Sequence, residues 1–348
     1  MSIEEYILAM PKAELRIHLE GIFRAQTLLL IAEQNEVQSN VKKFDNWVEL
    51  INSPDAKRMD ETVKQAASWL QIPEDISRIV YDLGVMLSKQ NIKYVEVAVN
   101  PALHQQSSMS FDDFMEALND GRDRAQRGWG IQIKWLLNIS REEPRRADEI
   151  VRWATNVTGR KSGVAGIILT GDETAQPIGQ FVRAFTTAHK KDCPTVATIG
   201  DKLDADGVQT TIEELEPERL AGVPNLETSP ELIKMVSDNN ISVDLCLAQA
   251  VQLKWTDSYE THPVRKLYDE NIVVTISSLM PSYFGETLND AYLRLVNECG
   301  MSLEELEEIA LNAVKCSFLP DEEKQELLNT FESAYVDLKE TYITSASA

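Results

Sequence analysis

Basic residues are scarce in this chain: 34 Lys and Arg stand against 56 Asp and Glu, a formal net charge of −22. Nucleic acid and anionic membrane surfaces both demand clustered cations, so the balance argues against either as a partner. An acidic, well-solvated surface is what it favours. Cysteines are also few. Cys193, Cys246, Cys299 and Cys316 are scattered without a CxxC pair, which suits reduced thiols better than a disulfide framework or a zinc ribbon. No apolar run reaches the ~18 residues that a membrane span needs, and the opening MSIEEYILAM lacks the basic flank of a secretory signal. A soluble, cytoplasmic protein is expected. A glycine-rich phosphate loop is missing after the first apolar run, which disfavours a doubly wound nucleotide-binding sheet.

What is present is a repeat of short, β-branched-rich runs separated by helical segments. The runs cover residues 13–19, 93–99, 131–139, 164–170, 194–200, 219–223, 241–247 and 272–278. Each is bounded by turn or polar residues, as buried parallel strands are. Between them, stretches such as SFDDFMEALNDGRDRAQRG (110–128) open on a capping serine with acids in the first turn. Eight such strands alternating with helices predict a (β/α)8 TIM barrel, with residues 1–348 as a single domain. Two regions depart from the repeat. Residues 24–90 read as a helical insertion after strand 1, and 284–340 as a helical C-terminal extension, with the final TYITSASA expected to fray.

The first run, PKAELRIHLEGIF, raises the functional question. Alternation places Glu14, Arg16, His18 and Glu20 on one face and Ala13, Leu15, Ile17 and Leu19 on the other. In a barrel the apolar face packs on the helices, so the charged face points inward. That many buried ionisable groups must pair, bind a metal or line a wet pocket. Alternation alone leaves open a solvated edge strand.

The stretch MPKAELRIHLEG resembles the opening of the adenosine deaminase family, P-K-x-E-L-H-x-H-L-[DE]-G. The similarity continues through YVEVAVNP (94–101), GIILTGDE (166–173), THPVRKLYDENIVVTI (261–276), MPSYFGETLNDAY (280–292) and NAVKCSFLPDEEKQELL (312–328). The resemblance implies a (β/α)8 barrel and a zinc-dependent purine or nucleoside aminohydrolase. Two strand-one histidines, one strand-five histidine and a strand-eight aspartate would hold the metal, which lowers the pKa of the attacking water.

This sequence departs from that set position by position. Arg16 replaces the first histidine and His18 keeps the second. H-A-G-E becomes TIGD, with Thr198 at the ligand position and Asp201 in place of the glutamate. R-x-G-H-G becomes RLAGV, with Gly222 for the histidine, and T-D-D-P becomes SLMP, with Leu279 and Met280. The expectation is therefore no metal and no cofactor, with Arg16 supplying a charge where the ion stood, paired to Asp201, Glu14 or Glu20. Asp201 is the one residual catalytic candidate. His18, Glu20 and Gly171 remain as candidate ligand-binding residues, Gly171 because the resemblance places it against a purine ring. Asp244 and Cys246 share one face of strand seven, directed toward the lumen, and His18, Asp201 and Cys246 offer an alternative, rebuilt metal centre. His104 and His262 read as surface or capping histidines. The functional expectation is an inactive relative serving as a binding or regulatory subunit. Its partners would be a purine or nucleoside ligand and an intact paralogue or a second copy of itself. The alternative is a hydrolase with a metal-free or rebuilt site.

Overall fold

The computed structural model describes residues 1–40, 42, 44–53, 58–104, 109–156, 159, 162–199 and 202–346. Its centre is an eight-stranded sheet in which every neighbouring pair is parallel and the spatial order follows the chain. The strands are β1 Lys12–His18, β2 Ile92–Val99, β3 Gln132–Ser140, β4 Val164–Thr170, β5 Thr195–Ile199, β6 Arg219–Gly222, β7 Ser242–Leu245 and β8 Val274–Ile276. All eight predicted strands are present, with ends displaced by a few residues. The seam between β8 and β1 closes through a bridge from Ile17 to Leu279, where the His18 N–H donates to the Leu279 carbonyl at 2.9 Å. This is the expected TIM barrel.

Alternation sorts the strand residues as a barrel requires. Ala13, Leu15, Ile17 and Leu19 join the large core between sheet and helices. A separate small cluster of Ala98, Leu136, Ile168, Val196 and Ala221 fills the middle of the lumen. Toward the strand starts, Arg219 donates to Glu96 Oε2 at 2.8 Å and to the carbonyls of Leu15 and Cys316 at 3.0 and 2.7 Å. Both side chains of this ion pair are fully buried, and Phe318 lies under the guanidinium at 4.3 Å.

The segment between β1 and β2 is helical as expected, with helices at Ala25–Gln34, Val37–Asn40, Phe44–Asn52, Met59–Ala67 and Pro73–Ser88. Phe111–Trp129 follows β2 and starts at the predicted cap: Ser110 and Asp113 form a reciprocal capping box. The C-terminal extension is also helical, and it continues past the expected boundary at 340; residues 347–348 of the segment expected to fray lie outside the described residues. The last helix runs Asp321–Ala346, because Tyr335 donates to the Pro11 carbonyl at 2.7 Å and the Tyr342 ring sits edge-on to Tyr6. These contacts tie it to the N-terminal segment.

The Arg219–Glu96 pair gives a direct test of what the lower lumen contributes. Arg219→Ala leaves a buried carboxylate without its cation and is expected to cost about 3–5 kcal/mol, the usual penalty for breaking such a pair. Urea unfolding at neutral pH measures it, and a loss under ~1 kcal/mol would place the pair among solvent-screened bridges.

Candidate active site

The C-terminal ends of the strands converge where the sequence places its candidate residues. β1 carries Glu14, Arg16 and His18 inward, and a 3-10 turn at Leu19–Gly21 then swings Glu20 toward the end of β2. There Glu20 Oε1 accepts the Asn100 N–H at 3.1 Å and meets His104 Nε2 at 3.0 Å. His104 is thus no surface residue. It is 3% exposed and stacks on Phe114, so its ring is held by packing from one side and by a carboxylate from another. Glu20 locks two strand ends together.

Arg16 is paired, but with neither Glu14 nor Glu20, and Asp201 lies outside the described residues. Its Nε donates to Asp244 Oδ2 at 2.6 Å, with the two side chains 3% and 0% exposed. Asp244 also accepts from Thr275 Oγ1 at 2.9 Å and Ser277 Oγ at 2.7 Å, so β7 and β8 hold it ready for the guanidinium. Arg16 Nη2 is buried without a hydrogen-bond partner. Glu14 is engaged by Ser278 instead, whose N–H and Oγ both reach Oε1 at 2.6 Å. Its Oε2 is buried and unpartnered. Burial pushes the Glu14 carboxyl up to about 7 against the pull of those bonds, so at neutral pH it is substantially protonated. Glu20 is committed to Asn100 and His104, and Asp201 lies outside the described residues. Asp244 was the acid best placed because alternation aims it into the lumen across from Arg16.

A second guanidinium occupies the strand-five position. Arg141, just beyond β3 and 1% exposed, donates from Nη2 to the Thr198 carbonyl at 2.7 Å and from Nη1 to Thr198 Oγ1 at 3.4 Å. Thr198 Oγ1 in turn donates to the Leu169 carbonyl at 2.9 Å. Sequence reasoning missed Arg141. The signal was a basic residue set directly after the largely apolar run of β3.

The strand-eight position is apolar. Leu279 packs in a cluster with Cys246, Ala248 and Phe284, and Met59 and Met280 lie against it. Met280 sits so close to Gly21 that a Cβ there would come within 2.3 Å of its Cγ. His18 is 9% exposed, and burial lowers its pKa to about 4, which keeps the imidazole neutral. Burial likewise pushes the Cys246 thiol up to about 12. Such a thiol is a poor source of thiolate. Gly171 lies against the Glu142 carboxylate, 2.2 Å from where a Cβ would stand, and Glu142 accepts the Asp172 N–H at 2.6 Å. His262 is buried as well, and its capping role holds: Nδ1 accepts the Val264 N–H at 3.1 Å.

These residues do not fit a zinc ion. The four positions that the resemblance assigns to ligands carry a guanidinium, one imidazole, a hydroxyl spent on a backbone carbonyl and an alkyl group. A catalytic zinc ordinarily takes three protein ligands, and Arg16 places a fixed positive charge beside the single imidazole. Among the described residues, no three His, Cys, Asp or Glu side chains gather as a metal site. Nor is any described helix long and apolar enough to cross a membrane.

Comparison with known proteins supports the same lineage. The adenosine deaminase family model matches residues 11–334. An adenine deaminase of Chlorobium phaeobacteroides is 27% identical, over 93% of this chain and 96% of that protein. An adenosine deaminase of Clostridium botulinum strain Kyoto is 28% identical, over 91% and 95%. Among solved structures, the apo N6-methyl-AMP deaminase from Arabidopsis thaliana superposes with a TM-score of 0.86 at 24% identity, covering 96% of this chain and 99% of that one. The adenine deaminase from Arthrobacter aurescens gives 0.84 at 19%, covering 94% and 100%. With a family model spanning nearly the whole barrel and relatives aligned end to end, this chain belongs to the adenosine deaminase family.

Proposed function

We propose that this chain is a member of its family that does not deaminate, kept as a binding or regulatory subunit for a purine or nucleoside. The observation that carries the reading is the Arg16–Asp244 ion pair at 2.6 Å, which sets a buried, fixed charge where the family would set a metal ligand. Leu279 and Met280 reinforce it by covering the strand-eight end with apolar groups. Hydrolysis of an aromatic amine at neutral pH needs an activated water and a group to move its proton. His18, its pKa lowered to about 4 by burial, is a weak base; Thr198 and Glu20 are engaged; and Glu14 has one carboxylate oxygen held by Ser278. The protein partner we assign is an intact paralogue or a second copy of the chain.

Purified protein is expected to retain no stoichiometric zinc after dialysis against a weak chelator, and to leave adenosine, adenine and N6-methyl-AMP unchanged with or without added zinc. Elemental analysis and ultraviolet assays decide it. About one zinc per chain, or turnover that co-purifies with the protein, would overturn the reading. Arg16→His is expected to restore neither, since Thr198, Gly222 and Leu279 remain.

The ion pair has its own stability signature. Arg16→Ala leaves Asp244 buried and unpaired and is expected to cost about 3–5 kcal/mol in urea unfolding, whereas Arg16→Ala/Asp244→Asn together should recover part of that loss.

Glu14 adds a pH signature. An acid whose folded pKa is raised holds its proton more tightly in the native state, so its contribution is present at low pH and is lost as pH climbs from about 4.5 to about 7. His18, lowered from 6.5 to about 4, works the other way and loses its contribution as pH falls through that window. Replacing Glu14 by Gln removes only the first trend. Relative to the parent, the Glu14→Gln chain should gain up to about 3 kcal/mol between pH 4.5 and 7.5. A pH-independent difference between the two would show that Glu14 is ionised throughout.

A further inference from the structure

The end of the barrel where the strands start, opposite the Arg16 end, carries an aromatic corner that the fold leaves open. Trp129, the last residue of the helix Phe111–Trp129, is 45% exposed. Its Nε1 donates to the Tyr81 hydroxyl at 3.3 Å, and the Arg124 guanidinium lies over the same tyrosine ring at 5.0 Å. Arg124 is held in turn by Ser77 at 3.2 Å and Asp120 at 3.6 Å. One half-buried tyrosine thus fixes both a tryptophan and an arginine that face outward. Trp, Tyr and Arg are the side chains that dominate binding energy at protein interfaces. Side chains already held in place also lose little entropy on docking.

Gly128 points the same way. It lies next to the end of that helix, where alanine would be the better helix former. A Cβ there would meet nothing within 4 Å, so packing inside the chain does not call for the bare backbone. Beside an exposed tryptophan, it allows a second surface to approach closely.

The neighbouring surface has the opposite charge. Gln132, at the start of β3, donates to Glu323 at 2.6 Å, which seats the acidic start of the helix Asp321–Ala346 beside this corner. Asp321, Glu322 and Arg127 are all exposed. Among the described residues none of the three has an ion-pair partner, whereas Arg122 and Arg124 are spent on Asp123 and Asp120. A cation and two acids on adjacent patches are left unneutralised by the chain's own fold.

We propose that this end of the barrel docks a second copy of the chain, with the Arg127 and Trp129 corner of each protomer on the Asp321 and Glu322 edge of the other. A two-fold contact requires a surface complementary to its own rotated image, and adjacent patches of opposite sign meet that requirement twice. Two chains of charge −22 repel at low ionic strength. At physiological salt the Debye length is about 8 Å, so the charges within the contact decide. Both barrel mouths lie at the far ends of such a dimer and stay open. The proposal rests on the function above only in taking a second copy as the partner.

Sedimentation velocity of the full chain at about 5–200 µM in about 0.15 M salt tests it, and a reversible dimer is expected within that range. Trp129→Ala should weaken the dimer about thirtyfold or more, as loss of a central interface tryptophan does. Complementation gives a sharper readout. Arg127→Glu in one chain, and Asp321→Lys/Glu322→Lys in another, should each weaken self-association about tenfold or more by setting like charges face to face. An equimolar mixture of the two should dimerise again, because both contacts of the mixed pair rejoin opposite charges. These side chains are exposed, and cooperative melting confirms that each variant folds. A parent chain that stays monomeric, a dimer untouched by Trp129→Ala, charge variants that dimerise as the parent does, or a mixture that fails to pair would each overturn the contact. None of those outcomes bears on deamination, while zinc-dependent turnover would overturn the function proposed above and leave this contact standing.

Discussion

A buried positive charge cannot stand alone, and the upper end of this barrel is organised by that requirement. Arg16 enters from β1, Asp244 answers from β7, and Thr275 and Ser277 of the β8 segment hold the carboxylate in place. Three donors from two chain segments thus converge on the one Asp244 carboxylate. The desolvation cost of a guanidinium is offset only when its partner is this well positioned. Glu14, two residues earlier on the same face, then has no second cation to answer, and burial raises its carboxyl to about 7.

The lumen as a whole repeats that logic at two levels. Arg219 and Glu96 close the lower end, Arg16 and Asp244 the upper, and five apolar side chains fill the space between. Each ion pair bridges strands that are not sheet neighbours. Backbone hydrogen bonds join the strands edge to edge, while the Arg219–Glu96 pair braces β6 against β2 on the far side and the Arg16–Asp244 pair reaches past β8 to join β1 to β7. Relatives of known structure share the barrel frame.

Much of this was legible in the sequence. Strand positions followed from β-branched runs bounded by turn residues, because a strand buried on both faces leaves little freedom in composition. Alternation in ELRIHLE correctly sent Arg16 and His18 inward. It did not name the partner of Arg16, because a partner depends on which strand lies across the lumen, and that is a property of closure and not of local pattern. Nearness in sequence favoured Glu14 and Glu20, yet same-strand neighbours on one face stand along the barrel axis, while Asp244 reaches in from β7. Arg141 was missed for a related reason: a basic residue just past a strand looks solvated until the neighbouring strand end is placed beside it. The C-terminal helix outran its expected end because its anchors, Tyr6 and Pro11, lie more than three hundred residues upstream.

The packing of Met280 against Gly21 has a consequence for substitution. With a large side chain seated on a bare backbone and an acid that depends on Arg16, these positions do not change independently. A smaller residue at 280 opens a void, a side chain at 21 collides with Met280, and a neutral residue at 16 strands the Asp244 carboxylate, so each of these sites tolerates change only together with its partner.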